Sequence, residues 1–174
     1  MKSGIRYILL IAIVFGCFGF QQNYDTNAKV KAVYLYNFTR YFEWPESMKS
    51  GNFVIQVIGT NNNLNQELSK LAATKQVGNQ KLEIKASPII DKESKPHIVF
   101  LLPESSGSLP EILAKLKGKN TLIITEKAGM AKAGASINFV VDDNKIKFEY
   151  NKTNAAKAGL KSNDEIKNLA VAVY

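Results

Sequence analysis

From Lys29 to Trp44 the chain reads KVKAVYLYNFTRYFEW, with apolar residues returning every three or four positions. On a helical wheel Val30, Val33, Tyr34, Phe38 and Tyr41 share one broad face, widened by Leu35 and Phe42. The spacing therefore predicts an amphipathic helix with an aromatic core face. Asn37 projects into that face and is expected to hydrogen-bond backbone groups of a sheet, whereas Thr39, Arg40 and Glu43 point outward. Pro45 disfavours helical geometry at Trp44 and sets the predicted helix end there.

The pattern then shortens. NFVIQVIG, QKLEIKAS, HIVFLLPE, NTLIITE, SINFVV and KIKFEY are six β-rich runs. FVIQVI and HIVFLL are almost continuously apolar, as central strands covered on both faces should be, while Leu82, Ile84 and Ala86 alternate with polar neighbours and suit an edge. Asp142, Asp143 and Asn144 separate the last two runs, which predicts an antiparallel hairpin. Helical faces appear between strands at Leu64, Leu68, Leu71 and Ala72 and at Leu109, Ile112, Leu113 and Leu116. SLPE and SNDE read as capping boxes headed by Ser108 and Ser162, the second launching Ile166, Leu169, Ala170 and Val173. Gly159 suits the end of the helix before it. Alternating strands and helices followed by a hairpin and C-terminal helices imply a single α/β domain. Its expected core is a mixed sheet of about six strands with helices on both faces.

Charge and cysteine content change where such a domain is placed. Lys2 and Arg6 precede YILLIAIVFGCFGF, an apolar stretch too short for a comfortable membrane crossing, so residues 1–19 read as an export signal. VFGC is also a degenerate lipobox. If it is used, the signal is 1–16 and Cys17 becomes a lipidated N-terminus on an outer-membrane lipoprotein; Phe15 argues against it. Residues 20–28 then form a short extension and 29–174 the domain. The formal charge, 23 basic minus 15 acidic, is +8, and losing Lys2 and Arg6 leaves 21 minus 15, or +6. The lysines are scattered rather than blocked, which speaks for a solvated surface and against nucleic acid. Cys17 is the only cysteine, so the domain has no internal disulfide and rests on its core even in an oxidising compartment.

Candidate chemistry is sparse. His97 is the only histidine and opens the most hydrophobic strand, where a structural role outweighs a general base. Imidazole or thiolate metal clusters and Cys/His catalysis lack the residues they need. IGTNNN has one glycine and no lysine, so helix capping by Asn61 or Asn62 fits better than phosphate binding. Gly129 and Gly134 suit backbone turns, and Asp142 with Asp143 lacks the spacing of a calcium loop. No catalytic residue, cofactor or metal site is assigned, and binding or regulation is favoured by elimination.

The order of motifs carries more. KAVYLYNFTRYFEWP, FVIQVIG, HIVFLL and GMAKAGASINFVVDDNKIKFEYNKTNAAKAGLKSNDEIKNLA, from about Lys29 to Ala170, resemble the YfiR family, small periplasmic proteins whose namesake restrains an inner-membrane diguanylate cyclase. Lys31, Ala32, Tyr34, Asn37, Phe38, Trp44 and Pro45 meet its N-terminal pattern. Ile137, Asn138, Phe139, Phe148, Glu149, Asn151, Ala158, Gly159 and Leu160 meet its C-terminal one, with Tyr150 in place of the usual aliphatic residue. The usual glycine pair is Gly134-Ala135 here, and the usual Cys-His is Pro96-His97, so thiol-based control is not expected.

The resemblance implies a non-catalytic periplasmic regulator in cyclic-di-GMP or related signalling. Its partner would be the periplasmic part of a membrane-bound diguanylate cyclase or sensor kinase, and a homodimer is a further expectation. Asn37, Pro45, Gly134, Asn138 and Gly159 are read as the structural signature, and Arg40, Glu43 and part of Trp44 as a contact patch. The alternative is a periplasmic small-molecule binding protein using a cleft at the strand ends, near Gly59 to Asn63 and Gly129 to Gly134.

Overall fold

The computed structural model describes residues 26–174; the expected export signal, Cys17 and its proposed lipidation lie outside them. Helix α1 (Thr26–Tyr41) lays Ala28, Ala32, Leu35 and Phe38 into the core. Tyr34 and Tyr41 flank that stripe, while Val33 is exposed, so the buried face is turned toward the smaller residues and away from the predicted Val33. The helix also stops three residues before Trp44. Phe42–Glu43 leaves it as strand β1, and the N–H of Asn163, far along the chain, donates to the Tyr41 carbonyl at 3.0 Å. A helix C-terminus needs such donors for its last carbonyls.

The central sheet is built from β2 (Phe53–Ile58), β3 (Gln76–Val77), β4 (Gln80–Ser87), β5 (Ile98–Leu101), β6 (Leu122–Thr125), β7 (Ile137–Asp142), β8 (Lys145–Tyr150) and β10 (Ala172–Val173). Among the described residues its order is β10-β8-β7-β6-β5-β2-β4-β3. Strands β4, β2, β5, β6 and β7 run parallel; β8 returns antiparallel to β7 and β3 antiparallel to β4. Both central runs are strands as predicted, and β4 is an edge over most of its length. The β7–β8 turn is closed by Asp143 and Asn144, both at positive φ, as a two-residue hairpin of this twist demands. A separate two-stranded ladder pairs β1 with β9 (Lys161–Ser162).

Alternation along the strands sorts two cores. Phe53, Ile55, Val57, Ile98, Phe100, Leu122, Ile124, Ile137, Phe139, Phe148 and Tyr150 pack beneath α1 and α2 (Asn62–Ala72). Ile58, Val99, Leu101 and Ile123 pack beneath α3 (Leu109–Lys115), with Ala135 after the short α4 (Met130–Ala133). Asn61 caps α2, its Oδ1 accepting from Leu64 N at 3.0 Å. The two predicted capping boxes do not form. A 3-10 turn at Pro103–Ser108 runs straight into α3, and the Ser108 hydroxyl donates back to the Ser105 carbonyl. Ser162 sits in β9, its hydroxyl bonded to the Tyr150 phenol at 2.7 Å, and α6 (Glu165–Leu169) starts after Asp164. That helix is shorter than predicted. Val173 belongs to β10, held parallel to β8 by Val171 N on Phe148 O and Tyr174 N on Tyr150 O.

Candidate interaction surface

The contact patch expected at the end of α1 is divided by burial. Arg40 and Glu43 are exposed, with the Arg40 guanidinium over the Tyr36 ring at 5.6 Å. Trp44 is only 5% exposed and packs edge-on against Phe53 at 4.9 Å, so its bulk supports the patch from beneath. Its indole N–H is buried without a hydrogen-bond partner among the described residues. Beside these residues lies a depression of about 350 Å³, lined among others by Thr39, Glu43, Lys49 and Gln80. Gln80 fixes its wall by donating to the Met48 carbonyl at 3.0 Å.

His97 welds this corner together. Its Nδ1 accepts from Val54 N at 3.0 Å, its Nε2 donates to Met48 O at 2.7 Å, and its ring stacks on Phe53 at 4.2 Å. Burial pushes its pKa below the ordinary range, opposed by the Met48 bond, so the imidazole stays neutral. With both nitrogens satisfied it is a structural histidine, as its position suggested.

Asn37 differs from expectation. It is half-buried and makes no side-chain hydrogen bond to another described residue, so the predicted tie to the sheet is absent there. The helix is tied instead by Tyr34, whose hydroxyl donates to Ile146 O, and by Lys31, whose ammonium pairs with Glu126 beyond β6. The Lys31 and Glu126 side chains are 14% and 21% exposed, and the second Glu126 oxygen is buried without a partner among the described residues. Lys31 was visible in the motif; its partner depends on how the helix lies across the sheet.

The remaining signature residues are structural in distinct ways. Pro45 holds extended backbone ahead of the turn at Glu46–Met48. Gly134 has φ of 136°, a conformation that favours glycine, and a Cβ there would lie 2.5 Å from Leu113 Cδ1, so the end of that leucine would have to move as well. Gly159, at φ of 77°, ends α5 (Lys152–Lys157) against the Asn120 side chain. Asn138 is fully buried: its Oδ1 accepts from the Thr125 hydroxyl at 2.8 Å and its Nδ2 donates to Glu149 at 3.0 Å. Glu149 also accepts from the Tyr174 hydroxyl at 3.0 Å, a bond that holds the phenol proton and raises that pKa. Sequence reasoning did not find this chain of polar groups. Its members Asn138 and Glu149 both stood in the C-terminal pattern, which was its only signal.

The glycine loops expected to line a cleft have different neighbours. The side chains of Leu102, Glu104 and Ser105 crowd Gly59, whereas Gly134 packs on Leu113 of α3. Among the described residues no group of three or more His, Cys, Asp or Glu side chains is placed to hold a metal ion, and no helix is long and apolar enough to cross a membrane.

A family model described as YfiR/HmsC-like matches residues 28–171. The chain belongs to the YfiR/HmsC-like family. Members are periplasmic regulators of membrane signalling proteins, so the sequence motifs and the family model agree on class. No individual curated protein matches the chain. Among solved structures, an ABC domain in complex with L-Trp from Streptococcus pneumonia aligns at 13% identity with a TM-score of 0.48. That alignment covers 71% of this chain and 55% of the other, so this chain spans about half the length of that neighbour.

Proposed function

We propose that this YfiR/HmsC-like protein is exported and binds the periplasmic part of a membrane-bound diguanylate cyclase or sensor kinase, holding its output down. The observation carrying this reading is the family match over residues 28–171, which takes in the helices and nearly all of the strands described above. The protein acts by contact and not by catalysis. Export through the segment 1–19, or through 1–16 with lipid on Cys17, belongs to the same reading.

The proposed contact surface is the outward side of the α1 terminus, where Arg40 and Glu43 stand over the packed Trp44. Capture of the tagged protein's partners from solubilised membranes tests the function: one signalling protein should be retained, and its catalytic output should fall when the purified regulator is added. Retention of none, together with stabilisation only by soluble metabolites, would replace a regulator by a small-molecule binding protein. The surface has its own arm. Leu169, Val171 and Val173 are exposed apolar residues at the opposite, C-terminal end of the chain, and loss of capture on their substitution but not on that of Arg40 and Glu43 would move the contact there.

A further inference from the structure

Between α3 and α5, on the aliphatic side of the sheet, lies a cavity of about 420 Å³. This size falls in the range of small-molecule sites, roughly 300 to 1,000 Å³. Leu116 and Ile123, both buried, give it an apolar floor, and Gly134 keeps one wall free of a side chain. Two polar features face the same space. Ser136 is 2% exposed, and its hydroxyl makes no hydrogen bond to another described residue, although it lines the cavity. Lys117 and Lys157, one from each flanking side, line it as well and form no ion pair with a described residue. No acidic side chain is among the lining residues. Both lysines are exposed, and two ammoniums unpaired among the described residues beside apolar walls favour an anion through a local positive field that salt weakens. Arginine, whose planar fork suits phosphate, is missing from the lining, and lysine acts as a point charge.

We infer that this cavity binds a small amphipathic carboxylate, its apolar body on Leu116 and Ile123, its charge held by Lys117 and Lys157, and Ser136 supplying a hydrogen bond from within. The inference stands independently of the membrane partner. Octanoate is the probe, with octanol lacking the charge and acetate lacking the apolar body. Octanoate should raise the melting temperature of the purified protein and shift the backbone amide resonances of Ile123 and Ser136, with octanol and acetate each doing so far more weakly. Lys117→Gln with Lys157→Gln should weaken octanoate about tenfold, as loss of a charge-assisted bond implies, and leave the melting temperature of the free protein unchanged. Lys75→Gln with Lys127→Gln, the same loss of charge elsewhere, should leave binding intact. Unshifted amides, equal binding of octanol, or full affinity in the Lys117/Lys157 variant would overturn the site. So would binding to phosphatidylglycerol vesicles through these lysines without any response to octanoate, since the lysines would then be a membrane contact.

Discussion

The two faces of the sheet come from the same strands and bury different chemistry. One carries Phe53, Phe100, Phe139, Phe148 and Tyr150 against Tyr34, Phe38, Phe42 and Trp44, with Phe38 edge-on to Phe148 at 5.2 Å and Phe42 edge-on to Tyr150 at 5.8 Å. The other buries only aliphatic side chains beneath α3, together with the polar Gln56, Thr125 and Asn138. Interlocked rings fill space and add about 0.5 to 1.5 kcal/mol per pair beyond their area. The aliphatic face borders the 420 Å³ cavity and the aromatic face the 350 Å³ depression beside Trp44, so the faces differ in the interlocking of rings and not in the presence of open space. Stability is thus expected to be concentrated on the aromatic side.

The largest test removes a ring. Phe38→Ala should cost about 3 to 5 kcal/mol, whereas Ile112→Ala on the aliphatic face should sit near the low end of the roughly 2 to 5 expected for such truncations, because its surroundings can collapse. Chemical denaturation of both variants decides; equal losses would erase the distinction between the faces. Next in size is Asn138→Ala, which leaves the Thr125 hydroxyl only its long bond to the Ile137 carbonyl at 3.4 Å, takes the amide from one Glu149 oxygen, and should cost about 1 to 3 kcal/mol. A loss below about 0.5 would mean that water replaces the amide and that the polar chain is not a structural part of this face.

A smaller effect is set by pH on the aromatic side. The folded pKa of His97 is depressed by burial, so the unfolded chain binds its proton more readily. Its contribution is therefore present above the unfolded value, near 6.5, and is lost as pH falls toward the folded pKa. Denaturation midpoints should drop as pH falls below about 6.5 in the parent, and more gently in His97→Gln. Parallel slopes would show that the imidazole already titrates freely in the fold.

Least of all should Arg40→Ala, Glu43→Ala and Asn37→Ala affect stability, each within about 0.5 kcal/mol. For Asn37 this follows from the absence of any hydrogen bond to lose among the described residues. If the first two nevertheless abolish capture of the membrane partner, the aromatic side is both the firm half of the molecule and its recognition end.

Much of the architecture was legible because it rests on short-range periodicity. The β7–β8 hairpin could be read from alternation and two turn residues, and α2 from its leucines and Asn61. The candidate surface was legible only in outline. Arg40 and Glu43 were correctly set on the outside, yet nothing near Trp44 told how completely it would be covered, since Phe53 comes from β2 and His97 from the bend before β5. The cavity beside Ser136 left no trace, because its walls are contributed by α3, α5 and the openings of two strands.

The sequence by itself determined the alternation that separates an aromatic face from an aliphatic one, the glycines at Gly134 and Gly159, and the motif order that marks the family. These depend on neighbours a few residues apart, where backbone geometry and burial act directly. Tertiary structure decided where α1 stops, why Ser162 caps nothing, and that the last residues form a strand. In each case a backbone or hydroxyl group had a local and a distant partner to choose between. Asn163 at Tyr41, Tyr150 at Ser162 and Phe148 at Val171 settled the choice, because a donor or acceptor shut away from water takes whichever partner the packed chain brings within reach.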